Sequence, residues 1–183
     1  MIACSDLKNC QKLINIRRDS GLYLSKDEDK ILTLKSLIHF QSQMNELLKA
    51  YIAKKPKYKL VFDLSASLDV ESVNAGAYLA GALQTKLKKN KLDMYAGDAI
   101  RMMLRQHTHE HPELGRYVAL ENIGIIYEPE LAFNLESIFE QTSKDELLII
   151  RSKGKVEDNR FFFLSPQQSL SINLNNLTYL VIE

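Results

Sequence analysis

The chain has 183 residues, of which 45% are hydrophobic and 26% are charged, a composition typical of one globular domain. Its 24 basic and 23 acidic side chains leave a formal net charge of +1, which excludes an overall electrostatic bias toward nucleic acid. Cys4 and Cys10 are too few for a disulfide framework or a four-ligand zinc site. No apolar run approaches the ~18 residues of a membrane span, and Met1 to Asp6 are too polar for a signal peptide, so we expect a cytoplasmic protein without membrane contact.

The first 55 residues are predicted to form helices. Apolar side chains recur at helical spacing between residues 6 and 16. Ser25 and Glu28 form a capping-box pattern before a long apolar stripe that runs from Ile31 to Ile52, and Pro56 closes it. These helices precede a sheet-containing core at residues 56–183, and the whole chain is predicted to be a single α/β domain.

The core alternates between strand-like and helix-like segments. The predicted strands are Tyr58 to Leu64, Leu92 to Tyr95, Tyr117 to Leu120 and Leu147 to Ile150, and the predicted helices are Glu71 to Lys89, Ala99 to His107 and Asn134 to Gln141. Such alternation predicts a mostly parallel sheet flanked by helices. Two further apolar segments, Phe161 to Leu164 and Tyr179 to Ile182, are predicted to be terminal strands on one edge.

The predicted buried strand at Tyr117 to Leu120 is followed by an acid, Glu121, and then by Asn122. In P-loop NTPases an acid in the position of Glu121 holds magnesium and polarises a water molecule. The segment Ser65 to Ser72 stands where the phosphate loop should be, yet only Ser72 fits the pattern G-x-x-x-x-G-K-[ST]. Neither glycine is present, and Glu71 replaces the lysine that would neutralise phosphate. The sequence therefore predicts a P-loop-NTPase-like fold that has lost its nucleotide chemistry.

The predicted loss of nucleotide chemistry determines which site residues and cofactors we expect. No catalytic residue and no cofactor is expected. If ATP or GTP with magnesium does bind, the degenerate site would consist of Ser65, Glu71, Ser72, Glu121 and Asn122. The protein would then be a weak nucleotide-binding protein or an NTPase, an alternative that the sequence leaves open.

Residues 118 to 183 resemble BrxF, the P-loop protein of type 3 BREX phage-defence operons. Leu120-Glu121-Asn122-Ile123 is similar to that family's strand-end Asp-Asn-Ile, and Tyr127-Glu128-Pro129-Glu130-Leu131 to its aromatic-x-Pro-Glu-Leu segment. The resemblance implies an accessory subunit of a prokaryotic antiviral system that works beside other operon proteins. Protein partners in a defence complex are therefore expected, a homo-oligomer is compatible with this role, and nucleic acid would be contacted only indirectly.

Residues 59 to 95 are also similar to the STAS domain of anti-sigma-factor antagonists. Asp63-Leu64-Ser65 matches that family's strand end, and Ser72 stands at the position where a serine before the next helix is phosphorylated. A phosphate is electrostatically favourable at a helix N-terminus, so a phospho-switch at Ser72 is a second alternative. A purely structural role, in which Ser72 caps the predicted helix, competes with both functional interpretations.

Histidines and lysines supply the remaining candidates. His107, His109 and His111 alternate along the chain, so on a strand they would share one face and are weak candidates for a metal site. Because they follow a predicted helix and precede Pro112, a polar loop without metal is the prediction. Lysines cluster at 54–59 and 86–91, and a nucleic-acid role would show as salt-dependent binding through the second cluster.

Overall fold

The computed structural model of the chain describes residues 43–87, 91–163 and 171–183. The predicted helices before residue 43 lie outside the described residues, as do Cys4 and Cys10. The described residues between Met44 and Ile182 belong to one compact unit. Within them, no helix has both the length and the apolar character needed to cross a membrane.

Nine strands and four α-helices occur in the described residues. The strands are β1 (Leu60–Asp63), β2 (Val73–Asn74), β3 (His109–His111), β4 (Gly115–Glu121), β5 (Leu147–Arg151), β6 (Gly154–Glu157), β7 (Arg160–Phe163), β8 (Ser171–Asn173) and β9 (Tyr179–Ile182). The helices are α1 (described for residues 43–53), α2 (Ala75–Leu83), α3 (Leu92–Gln106) and α4 (Leu135–Asp145), with 3-10 turns at Ile123–Tyr127 and Pro129–Leu131.

Five strands of the main sheet run parallel, in the order β2-β4-β5-β1-β9. The short strand β3 pairs antiparallel with the first half of β4, while β2 pairs with the last two residues of β4. Since β5 and β4 lie between β1 and β2, residues 64–72 must cross the carboxyl ends of these two strands. No helix intervenes between β1 and β2. The candidate site described below is built on this crossing segment.

Both faces of the main sheet are covered. The strands β1 and β5 are almost continuously apolar, as expected for parallel strands buried on two sides. On one face Leu60 and Phe62 join a core formed with α2, α3, α4 and the smaller sheet. On the other face Val61 and Ile149 pack against Leu48 of α1. The predicted α/β class, a mostly parallel sheet flanked by helices, is confirmed.

The smaller sheet is an antiparallel meander in the order β6-β7-β8. Its hairpin turn places Asp158 and Asn159 at φ 49° and 55°, the left-handed conformation that two-residue hairpin turns need. The ring of Phe161 in β7 stacks on Phe62 of β1, with ring centroids 4.6 Å apart. This stacking ties the smaller sheet to the main core.

Several predicted elements are corrected by the structure. The predicted strand Leu92 to Tyr95 is the first turn of α3, because Leu92 and Tyr95 pack with Ala96 at helical spacing. Within the described part of the predicted helix Glu71 to Lys89, which ends at residue 87, the chain is helical only from Ala75 to Leu83. The segments predicted to form one edge lie in different sheets, since Phe161–Phe163 belongs to β7 and Tyr179–Ile182 is an edge strand of the main sheet. The polar loop predicted around His109 is instead a strand, because residues 109 to 111 form β3.

Candidate functional site at the carboxyl edge of the parallel sheet

Four polar residues end adjacent parallel strands in one row. The strand register pairs Asn74 with Glu121, Glu121 with Arg151, and Arg151 with Asp63. Open α/β sheets bind their ligands at the carboxyl ends of strands, so this row is the first place to look for a site. Sequence reasoning had placed Glu121 here and had also identified Asn122, the next residue along the chain.

The guanidinium of Arg151 is held by the crossing segment, residues 64–72. Its Nη2 donates to the carbonyl oxygens of Ala66 at 3.0 Å and Leu68 at 2.7 Å. Its Nη1 donates to the carbonyl oxygen of Val70 at 3.3 Å and to Ser72 Oγ at 3.4 Å. The side chain is only 17% exposed. We call this arrangement, Arg151 enclosed by residues 64–72 and Asp63, the arginine clasp.

Asp63, the last residue of β1, is the acidic partner of Arg151 in the arginine clasp. Its side chain is fully buried, and Oδ2 lies 3.4 Å from Arg151 Nε, an ion-pair contact that lacks hydrogen-bond geometry. Oδ1 accepts from the backbone N–H of Ser67 at 2.9 Å, and Oδ2 accepts from that of Leu68 at 3.1 Å. A buried carboxylate needs such partners, because desolvating an unpaired charge is costly. The crossing segment is therefore fastened to the sheet at both its backbone amides and its carbonyls.

The other half of the row connects Ser72 to β4. Ser72 Oγ donates to Glu121 Oε2 at 2.9 Å. Asn122 follows in the left-handed conformation at φ 50°, and its Nδ2 donates to Asn74 Oδ1 at 3.1 Å. The same Asn74 oxygen accepts from Ala77 N at 2.8 Å, which makes Asn74 the N-cap of α2. The prediction that Ser72 caps this helix is wrong, since Ser72 precedes β2 and its hydroxyl is bonded to Glu121.

The start of α2 approaches β4 closely at Gly76. Its N–H donates to the carbonyl oxygen of Asn122 at 3.1 Å. A Cβ at this position would lie 2.6 Å from Asn122 Nδ2, a distance that packed atoms do not tolerate. Glycine is therefore needed for contact between the helix start and the end of β4, rather than for approach to a phosphate.

The predicted nucleotide-binding residues are only partly brought together. Ser72, Glu121 and Asn122 are neighbours at the edge of the sheet, as described above. Ser65 is exposed, and its hydroxyl bonds to Ser67 Oγ at 3.0 Å. Glu71 is also exposed, and its carboxylate lies 3.6 Å from His109 Nδ1. The amides of residues 67 and 68, which a phosphate loop would offer to an anion, are bonded to Asp63.

The three candidate histidines have separate surroundings. His107 ends α3, and its ring meets Tyr78 edge to face. His109 lies beside Glu71 and the ring of Tyr117. His111 Nδ1 accepts from the backbone N–H of residues 113 and 114, which stabilises the turn between β3 and β4. Among the described residues, no group of three or more His, Cys, Asp or Glu side chains has the arrangement of a metal site.

Sequence reasoning missed the central role of Arg151 and Asp63. Both signals were present, because each is a charged residue directly after a run of apolar residues that forms a buried strand. What the sequence lacked was the strand order that makes these two residues neighbours.

No family model, no curated protein and no solved structure matches this chain.

Proposed function

We propose that this protein is a non-catalytic α/β subunit that acts through contacts with other proteins. The arginine clasp carries this proposal, because a protein cation and its acceptors fill the edge where a nucleotide phosphate would need free amides and a free cation. Arg151 directs its donors at carbonyl oxygens of the same chain, and Asp63 uses the loop amides. An anion at this edge would have to displace both.

We further propose that the scaffold is a degenerate relative of the P-loop NTPases. Glu121 ends a parallel strand of the central sheet, as the magnesium-binding acid of such enzymes does. The phosphate loop is replaced by the crossing segment, and the helix that would follow it, α2, begins only after the two-residue strand β2. This combination supports retention of the scaffold after loss of the nucleotide chemistry.

The narrower proposal is an accessory subunit of a prokaryotic antiviral system of the BREX type. Its support is the resemblance of residues 118 to 183, in particular the strand-end Leu120-Glu121-Asn122-Ile123 and the segment that leads into Pro129. In this role the protein would hold defence proteins together, and any nucleic acid would be reached through them.

Calorimetric titration with ATP and GTP in the presence of magnesium tests the non-catalytic proposal directly. We expect no binding heat at high micromolar nucleotide. Saturable binding that Glu121→Ala weakens would overturn the proposal and establish the nucleotide-binding alternative. Glu157→Ala is the matched control, because it removes an exposed carboxylate at the end of β6 that is not one of the predicted nucleotide-binding residues.

The antiviral proposal is tested in the source cells by deleting the gene and measuring phage plating efficiency. We expect more plaques after deletion. Complementation with Glu121→Ala should restore resistance as well as the unmodified gene does, because the proposal assigns no chemistry to this carboxylate. Equal plating with and without the gene, across a panel of phages, would remove the antiviral proposal while leaving the non-catalytic one intact.

The phospho-switch alternative has less support. The Ser72 hydroxyl is bonded to Glu121, so a phosphate there would face a carboxylate rather than the N-terminus of α2.

A further inference from the structure

One face of α3 is buried and the opposite face is exposed. The buried side chains are those of Ala96, Ala99, Ile100 and Met103. An α-helix repeats every 3.6 residues, so positions 94, 98, 101 and 105 share the opposite side, with Met102 beside them. We call these five residues the α3 outer face, and all five are exposed.

Exposed apolar side chains concentrate at this helix. Four large hydrophobic residues are strongly exposed in the described part of the chain, and three of them are Leu87 (64%), Met94 (47%) and Met102 (54%). The Nζ of Lys86 lies 5.2 Å from the centre of the Tyr95 ring, which places residues 86 and 87 beside the first turn of α3. Methionine and arginine are enriched in protein interfaces, and methionine adapts its shape to a partner.

Charge on the α3 outer face is divided along the helix. Asp98 lies in the first half of α3, and Arg101 and Arg105 lie in the second half. Such a surface is complementary to itself, because two copies that pack antiparallel about a two-fold axis place the acidic half of one against the basic half of the other. With the axis between residues 99 and 100, Asp98 of each copy faces Arg101 of the other.

The hydrogen bond between Asp98 and Arg101 within one chain involves only one polar atom of each side chain. Arg101 Nη2 donates to Asp98 Oδ1 at 2.6 Å, and both side chains are more than half exposed, at 65% and 60%. The other carboxylate oxygen and the other guanidinium nitrogens have no partner among the described residues. They can therefore reach a second copy without breaking the existing contact.

We propose that the α3 outer face is a self-association surface, through which two copies of this chain pack with their α3 helices antiparallel. The contact is isologous, with reciprocal ion pairs between Asp98 and Arg101 near the axis and with the methionines contributing apolar area farther out along the helices. A helix of this length spans about 22 Å. A contact along a single helix is small compared with obligate interfaces, so we expect a weak, reversible dimer. The proposal does not depend on whether the protein binds nucleotide.

Sedimentation velocity over a micromolar concentration series at low salt measures the dissociation constant of the full chain. We expect a reversible monomer–dimer equilibrium. Asp98→Arg and Arg101→Asp should each weaken the dimer at least about tenfold, because each single change creates two like-charge contacts across the axis. Lys155→Glu, which changes an exposed charge on β6, is the control and should leave the dissociation constant unchanged.

Mixing the two charge-reversed variants distinguishes contacts between copies from contacts within one. In the mixed dimer both contacts across the axis are again between opposite charges, while the pair inside each chain remains repulsive. We expect the 1:1 mixture to associate nearly as well as the unmodified protein. A monomer throughout the concentration series, a dimer that neither reversal weakens, or a mixture no tighter than its separate components would each overturn the proposal.

Discussion

Arg151 and Arg101 are both arginines beside an aspartate, yet they lie in opposite environments. In the arginine clasp the arginine side chain is 17% exposed, its aspartate is fully buried, and main-chain carbonyls accept from most of the guanidinium donors. On the α3 outer face the arginine side chain is 65% exposed and makes one hydrogen bond to an aspartate that is itself 60% exposed. The same pair of side-chain types therefore closes one region and leaves the other open.

The difference in burial decides whether an arginine–aspartate pair mainly stabilises the fold or remains available to another molecule. Charges that are buried and bonded mainly within the chain have little left to offer a ligand, and removing one partner leaves the other uncompensated. Exposed charges beside apolar side chains contribute little to folding but are available to another molecule. The contacts at the carboxyl edge of the sheet therefore mainly hold the fold together, whereas the α3 outer face has the exposed groups on which the proposed self-association depends.

The largest expected effect comes from removing the buried cation. Arg151→Met should lower the free energy of unfolding by about 3–5 kcal/mol, because Asp63 would remain buried without its counter-charge. Arg101→Met should change it by less than about 0.5 kcal/mol, since the lost pair is an exposed contact within one helix. Urea denaturation followed by circular dichroism, at a protein concentration that keeps the chain monomeric, measures both. Similar losses for the two variants would contradict the comparison.

The next effect tests how closely the closed edge is packed. Gly76→Ala should cost about 1–3 kcal/mol, because the new Cβ would meet the side chain and the carbonyl oxygen of Asn122. Gly81→Ala in the same helix meets nothing within 4 Å and should stabilise the protein by about 0.5–1 kcal/mol. Thermal unfolding of the two variants gives the sign of each change. Stabilisation by Gly76→Ala would show that the edge has room for a ligand.

A smaller effect is expected at the junction between the crossing segment and β4. Ser72→Ala removes the hydroxyl that bonds Glu121 and should cost about 1 kcal/mol. Ser65→Ala, in the exposed part of the same segment, should leave stability unchanged. Chemical denaturation compares the two. Equal stability of both variants would mean that the Ser72–Glu121 bond does not hold the segment in place.

The smallest effect appears only at alkaline pH. Burial raises the pKa of Tyr127 above the usual tyrosine value, and its ring stacks on Phe163. The folded state therefore holds this proton more tightly than the unfolded chain does. The resulting stability is fully present below pH ~10 and declines as the pH rises above it. Tyr127→Phe should make the loss of stability between pH 9 and 11 shallower, as measured by urea titrations at a series of pH values. An unchanged slope would contradict this assignment.

The sequence predicted the core elements well where an apolar run was long and unambiguous. The strands at residues 60, 117 and 147 and the helix after Asn134 lie close to their predicted positions. Prediction was wrong where a short apolar run had two possible periods, as at Leu92 to Tyr95, which begins α3. It was also wrong for His109 to His111, because their pairing with β4 is a contact that local composition does not encode.

The candidate site was only half predictable for a related reason. Glu121 and Ser72 were identified from their positions relative to a known motif, and they do form a hydrogen bond. Arg151 was not identified, since its partners at residues 63 to 72 are separated from it by about 80 positions in the chain. An arginine after an apolar strand has no distinctive local pattern.

The sequence by itself determined the class of this protein, because alternating apolar runs of strand and helix length can be buried together only in an α/β arrangement. It also determined that the loop after β1 lacks the glycines and the lysine of a phosphate site. Only the tertiary structure decided what occupies that place. The order of the strands puts the end of β5 beneath residues 64–72, and this long-range neighbourhood converts Arg151 and Asp63 from two strand-end charges into the buried pair that closes the edge.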